Sequence, residues 1–291
     1  LQYLAALKET GHFGRAAEAC FVTQSTLSAG IRELESLLGV MLVERTRRVV
    51  RFTPLGDAIV ARAHRVLREA EELAEMAAAA GTPLAGELRM SVIPTIAPFL
   101  LPTLLPRLRA ERPDLKLFLR EETSQAACDS LHHGNVDCVL LALPFACGDV
   151  DHVDLFKDKL LLAFPPGSAD DLPDAVLPSS IDPAQLLLLE DGHCLKDHAL
   201  AACNRPDLRA GAKMMGTSLH TLVQMVENGL GISMVPQMAV DAGLLSQTHI
   251  VTRPLDSPHD TRMIGLVWRR NSPREKEFQM LAETLTRHHS A

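Results

Sequence analysis

Leu186-Leu187-Leu188-Leu189-Glu190-Asp191-Gly192-His193-Cys194-Leu195-Lys196-Asp197-His198-Ala199-Leu200-Ala201-Ala202-Cys203 divides by residue type into three parts. The apolar run predicts a buried strand, Glu190 to Gly192 the turn that ends it, and Leu195 to Ala202 a short helix of good helix formers. Cys194 then stands where a helix begins. Unpaired backbone N–H groups and the positive end of the helix dipole favour an anion there, and His193 and Lys196 add cationic or donor neighbours. A lowered thiol pKa and a resting thiolate are expected. A continuous helix from Cys194 to Cys203 would part their Cα atoms by about 13 Å, against a disulfide limit of roughly 7 Å. The pair can bond only if the segment refolds, which is the logic of a redox switch and not of a structural staple.

Two other readings use the same residues. His193, Cys194, His198 and Cys203 carry atoms that suit zinc, yet no Cys-x-x-Cys or His-x-x-x-His ligand pair is present. Two inert cysteines in an ordinary helix are the common case for an arbitrary protein. The favoured switch needs neither metal nor cofactor.

With 291 residues the chain has room for two or three domains and ample core. It opens in mid-helical pattern, so a few further residues are expected upstream. No run approaches about 18 apolar residues and no basic-then-apolar leader is visible, so a soluble cytoplasmic protein is expected. In that compartment the six cysteines (Cys20, Cys128, Cys138, Cys147, Cys194, Cys203) argue against a disulfide framework. Cys138, in an apolar run, reads as a buried small hydrophobe. The net charge of −7 hides an asymmetry: residues 1–68 carry +4 and the remainder −11. A basic amino-terminal module on an acidic body predicts that only the first part meets a polyanion.

In that module Leu1, Leu4, Ala5 and Leu7 predict a helix ended near Gly11, Arg15 to Cys20 a second, and Gln24 to Leu38 a third, opened by Thr23 and closed by Gly39. Leu27, Ile31, Leu34 and Leu38 face the module's core. Gln24, Ser25, Ser28 and Arg32 are left facing outward, concentrated near the amino end of the third helix. A helix-turn-helix presents that end of its third element to base edges in the major groove. Met41 to Thr53 reads as a two-stranded ribbon whose Arg45, Arg47, Arg48 and Arg51 suit phosphates or the minor groove.

The set His12-Phe13-Gly14-Arg15-Ala16-Ala17, Gln24-Ser25-Thr26-Leu27-Ser28, Ile31, Leu34-Glu35, Leu38-Gly39, Leu42, Glu44-Arg45 and Thr53-Pro54-Leu55-Gly56 closely resembles the DNA-binding domain of LysR-type transcription regulators. Residues Leu186 to Cys203 resemble the redox loop of that family's hydrogen-peroxide-sensing OxyR branch. The resemblance implies that Cys194 is the peroxidatic and Cys203 the resolving cysteine, and that the protein binds double-stranded DNA as an activator. DNA readers and anchors would be Gln24, Ser25, Thr26, Ser28, Arg32, Arg45 and Arg47.

Pro54 to about Ala80 predicts one long helix with an apolar stripe through Ile59, Val60, Ala63, Val66, Leu67, Ala70 and Leu73. With no partner helix adjacent in the chain, that stripe is expected to pack on a second copy. The resemblance implies a homodimer and commonly a homotetramer. From Glu87 onward short apolar runs near 88–92, 115–119, 138–143, 160–164, 186–189, 232–235 and 263–268 alternate with helical patterns. The expected architecture is α+β and multidomain. A winged helix-turn-helix over residues 1–53 is followed by a linker helix and hinge over 54–86. Residues 87–291 form a regulatory domain of two Rossmann-like α/β subdomains with parallel sheets, as in periplasmic-binding-protein-like effector domains.

By the same resemblance Thr95 and Ser124 would hold a peroxide beside Cys194, with His193, Lys196, Asp197 and Arg262 completing a polar network. Lys196 stands where the pattern more often has Arg, and Ser124 where it has Thr. A cellular dithiol would reset the switch, and RNA polymerase is a further expected partner. Three competitors are a family member that binds an organic effector, a thiol peroxidase enzyme, and a solute-binding protein. The basic winged module disfavours the enzyme, and the lack of a visible export signal together with the amino-terminal helices disfavours the solute-binding protein.

Overall fold

The computed structural model describes residues 1–45, 50–79, 83–168, 173–205 and 215–289. The chain falls into two units, Leu1–Gly81 with His132–Asn135, and Thr82–Leu131 with Val136–Ala291.

In the first unit, α1 (Gln2–Thr10) ends at Gly11, which takes the left-handed conformation and donates its N–H to Leu7. α2 (Phe13–Ala19) begins two residues before the expected Arg15, because the His12 ring accepts from the N–H groups of Gly14 and Arg15 and caps the helix. α3 spans Gln24–Leu38 with Thr23 as N-cap and Gly39 in the left-handed region. Leu27 and Ile31 are buried with Leu4, Leu7, Ala16, Ala17 and Val60. Leu38 does not follow them inward. It is 44% exposed, since the chain turns away at Gly39 and Leu42 fills the core instead. Both that turn and the ribbon are fastened by Glu35, whose Oε1 accepts from Leu42 and Val43 N–H at 2.9 and 3.1 Å. Strands β1 (Val43–Arg45) and β2 (Val50–Phe52) pair antiparallel, with Arg45 opposite Val50. The ribbon tip, with Arg47 and Arg48, lies outside the described residues. α4 (Pro54–Ala79) buries Val60 and Ala63 but leaves Val66 and Leu73 exposed.

The second unit is built on nine described strands: β3 (Gly86–Val92), β4 (Leu115–Glu121), β5 (Cys138–Leu143), β6 (Val150–Phe164), β7 (Leu186–Leu189), β8 (Met215–Gly216), β9 (Ile232–Pro236), β10 (Val251–Pro254) and β11 (Thr261–Arg269). Their order is β4-β3-β5-β11-β6-β9-β7-β8, with β10 also on β6. Packed with them are α5 (Ala97–Glu111), α6 (Ser124–His132), α7 (Cys194–Cys203), α8 (Leu219–Glu227), α9 (Gln237–Asp241) and α10 (Glu275–His289).

The sheets are not purely parallel as expected. β3 pairs parallel with β4 and β5, and β7 with β8 and β9. β11, however, runs antiparallel between β5 and β6, and β6 runs antiparallel to β9 and β10. The cause is the length of β6. Its first part pairs with β11 and its last with β9, so one strand passes through both lobes. Residues 150–159 escaped the sequence pattern because they carry charge along a half-exposed strand, with Leu155 and Asp158 the only buried positions among them.

Candidate functional site

β7 is wholly buried, and the chain leaves it through a turn in which Glu190 N–H is taken by Gly216 O. Gly192 turns the chain at φ +94°, a region open to glycine and strained for most other residues. Its carbonyl accepts from Gln125 N–H at 3.2 Å, which ties the turn to α6. α7 then begins at Cys194 and runs unbroken to Cys203, closed by Asn204 in the left-handed region. Both thiols are free and buried. Ten residues of helix set their Cα atoms about 13 Å apart, beyond disulfide range.

The N-cap residue His193 makes no side-chain cap bond. The orphaned N–H of Cys194 is instead accepted by the Ser124 hydroxyl, 3.1 Å away on α6 and 70 residues earlier in the chain. Arg262 at the start of β11 is almost completely buried. Its Nη1 donates to Thr95 Oγ1 at 2.8 Å and its Nη2 to Thr95 O at 3.0 Å. Asp158, opposite it on β6, takes Arg262 Nε at 3.0 Å and Nη2 at 2.9 Å, while its other oxygen takes the Met238 N–H at 3.0 Å. All three guanidinium nitrogens and both carboxylate oxygens of this buried pair thus have partners, which fixes the orientation of the guanidinium.

These groups act on the sulfur in opposite directions. Burial, the largest influence, pushes the Cys194 thiol above its ordinary value. The Arg262 charge and hydrogen bonds from Ser124 and the Ala142 backbone pull it down, and Asp197 pushes it up. The expected resting thiolate is thus corrected to a resting thiol, because the helix start that favours an anion is also shut away from water. His193 offers no compensating charge, since burial lowers its pKa and keeps it neutral. Cys203 is pushed up to about 11 by burial, with Arg205 opposing.

Of the residues expected around the thiol, Ser124 bonds the cysteine, Arg262 acts on it, and Thr95 holds Arg262. His193 is buried beside it. Lys196 turns elsewhere: its Nζ donates to Asp191 Oδ1 at 2.6 Å and approaches Met215 Sδ at 3.8 Å, so the cation at the site is Arg262. Asp197 is exposed. Sequence reasoning missed Asp158, hidden in the charged run Lys157-Asp158-Lys159. It named His198 only in the zinc alternative. His198 follows Cys194 by one helical turn, its Nε2 donates to Pro144 O at 3.1 Å, and its buried Nδ1 has no partner. Cys128 and Cys147 form a disulfide, counter to the expectation that the cysteines build no disulfide framework. Their separation of 19 residues carried no signal. Among the described residues no cluster of His, Cys, Asp or Glu is arranged to hold a metal.

In the first unit Gln24, Ser25, Thr26 and Arg32 are exposed and Ser28 half-buried. Thr23 Oγ1 accepts from Thr26 N–H at 3.2 Å and lies 2.8 Å from the hydroxyls of Ser25 and Thr26, so the cap also orders two of these side chains.

A winged helix-turn-helix joined to a two-lobed α/β unit with a buried thiol defines a class of regulator in which one unit reads and the other senses. Residues 1–57 match the model of bacterial regulatory helix-turn-helix proteins of the lysR family, and residues 81–290 match the LysR substrate binding domain. The chain belongs to the LysR family, in its OxyR branch. It is 40% identical to the HTH-type transcriptional regulator EstR of Acinetobacter baylyi over 99% of this chain and 95% of that protein. It is also 40% identical to the DNA-binding transcriptional dual regulator OxyR of Escherichia coli, over 98% and 93%. A full-length OxyR of Pseudomonas aeruginosa carrying a cysteine-to-aspartate change superposes with TM-score 0.76 at 34% identity, covering 98% of this chain and 96% of that one. A Corynebacterium glutamicum OxyR cysteine-to-serine mutant, hydrogen-peroxide-bound, gives 0.67 at 31%, over 99% and 91%.

Proposed function

We propose that this protein is a DNA-binding transcription regulator that senses hydrogen peroxide through Cys194 and reports it through a Cys194–Cys203 disulfide. The observation that carries this reading is a buried free thiol at a helix start, bonded by Ser124 and influenced by Arg262, with a second free thiol at the far end of the same helix. Cys194 Sγ, once deprotonated, attacks one peroxide oxygen. The O–O bond breaks, the sulfur becomes a sulfenic acid, and the departing oxygen leaves as water after taking a proton. Arg262 and the Thr95 and Ser124 hydroxyls stabilise the charge that develops on that oxygen. Cys203 then attacks the oxidised sulfur, an S–S bond forms and a second water leaves. That step requires α7 to unwind, which makes it the bistable element between signal and response.

The functional divisions we assign are a reader over 1–53, a linker over 54–86 and a sensor over 87–291. The exposed apolar residues of α4 support self-association through the linker, and a reader dimer accounts for paired DNA half-sites. We place the protein in the cytoplasm, where a dithiol resets it, RNA polymerase receives its output, and peroxide is consumed as signal and not turned over as by an enzyme. Among the described residues no helix is long and apolar enough to cross a membrane. The test is cysteine mapping by mass spectrometry after about one equivalent of peroxide, with footprinting of both redox forms. First oxidation at Cys20 or Cys138, or a footprint without dyad symmetry in either form, overturns the reading.

A further inference from the structure

The Cys128–Cys147 disulfide belongs to neither the DNA end nor the Cys194–Cys203 pair. Its Cα atoms lie 5.3 Å apart, within ordinary disulfide range, and both residues are almost fully buried. Its position is informative. Cys128 sits one turn after Ser124 on α6, and Ser124 holds the Cys194 N–H. Cys147 follows by three residues Pro144, whose carbonyl holds His198 on the next turn of α7. The bond therefore joins the two elements that grip the sensor helix from outside. α7 must leave both grips before Cys203 can reach Cys194. Ala146 and Gly148, on either side of Cys147, are exposed, so a small local opening uncovers the sulfur. Disulfides in proteins that work among cellular thiols are usually transient, catalytic or redox-sensing.

We propose that Cys128 and Cys147 are a second redox-active pair, closed by peroxide and opened by a cellular dithiol, whose closure holds the sensor helix and restrains its refolding. On closure one thiolate attacks a peroxide oxygen, the O–O bond breaks and a sulfenic acid and water form; the other thiol displaces the second water as the S–S bond forms. Two electrons pass from the two sulfurs to the peroxide. On opening, a dithiol becomes a disulfide and returns two electrons and two protons to the pair. The proposal rests on Cys194 being the sensor.

The experiment is quenched-flow alkylation and peptide mapping of the full chain treated with hydrogen peroxide. A Cys128–Cys147 peptide should appear with peroxide, disappear with dithiothreitol, and form in Cys194→Ser as in the parent. Once that bond is closed, Cys194–Cys203 formation should be slower by about threefold or more than in Cys128→Ala, Cys147→Ala or the double variant. The three variants should match one another, since either cysteine alone cannot bridge. A packing defect would instead differ by position and would overturn the proposal. Free thiols at both positions at every dose, a bond that survives dithiothreitol, or equal rates in parent and variants would also overturn it. Absence of the Cys194–Cys203 bond from parent and variants alike would count against the sensor reading, and the dithiothreitol response of the second pair would still be read.

Discussion

Helices α3 and α7 begin with the same unpaired N–H groups and the same dipole, and they put them to opposite uses. α3 satisfies its first turn locally through Thr23 and presents Gln24, Ser25 and Thr26 to solvent. α7 has no local cap. It borrows Ser124 from a distant helix and seals Cys194 from water beneath β5 and β11. An exposed helix start offers its polar groups to an external partner. A buried one tunes a single atom, and desolvation then opposes the dipole. Sequence position alone makes the two look alike, and burial separates them.

The contrast breaks most sharply at the sulfur. Cys194→Ser should abolish the peroxide response completely while DNA binding in the reduced state persists, as read by footprinting. Cys203→Ser should let sulfenic or more oxidised Cys194 accumulate, as read by mass spectrometry. A Cys194→Ser protein that still changes its footprint with peroxide would place the sensor elsewhere.

Next in size is the buried pair beneath that sulfur. Arg262→Gln leaves Asp158 charged, buried and without its cation, and should cost about 3–5 kcal/mol of stability, visible as a fall in Tm. It also removes the positive charge that pulls the Cys194 thiol down, so the surviving folded protein should oxidise more slowly. Unchanged Tm and rate would show that the guanidinium does not serve the site.

At the exposed helix the changes should be smaller. Gln24→Ala should cost about 1–3 kcal/mol at a preferred base and little elsewhere, measured as binding to a set of sites. Arg45→Ala should weaken binding to all sites together and reduce the salt slope by about one unit. Thr23→Ala removes the local cap and should cost about 1 kcal/mol of stability.

The mildest test is pH. The Cys194 thiol lies above its ordinary value, so the protonated form dominates at neutral pH and the reactive thiolate gains as pH rises. Oxidation should therefore accelerate between about pH 6 and 8, by up to about tenfold per unit. A rate flat across that window would indicate a thiolate already formed and would restore the dipole as the stronger influence.

The strand, turn and helix of 186–203 were legible in the sequence because they rest on local chemistry: an apolar run, a glycine that tolerates positive φ, and a string of helix formers. The limits of α3 were legible for the same reason, through Thr23 and Gly39. The path of β6 was not, because a charged, half-exposed strand carries no periodic apolar signal. Nor were Asp158 as the anchor of Arg262, Lys196 turned toward Asp191, His198 against Pro144 O, or Cys147 beside Cys128. All but the Lys196–Asp191 contact depend on residues well separated in the chain meeting in space. Residue order alone sets which types stand at the start of α7. Which of them is desolvated follows from packing between distant segments, and desolvation sets whether a cysteine there rests as thiol or thiolate.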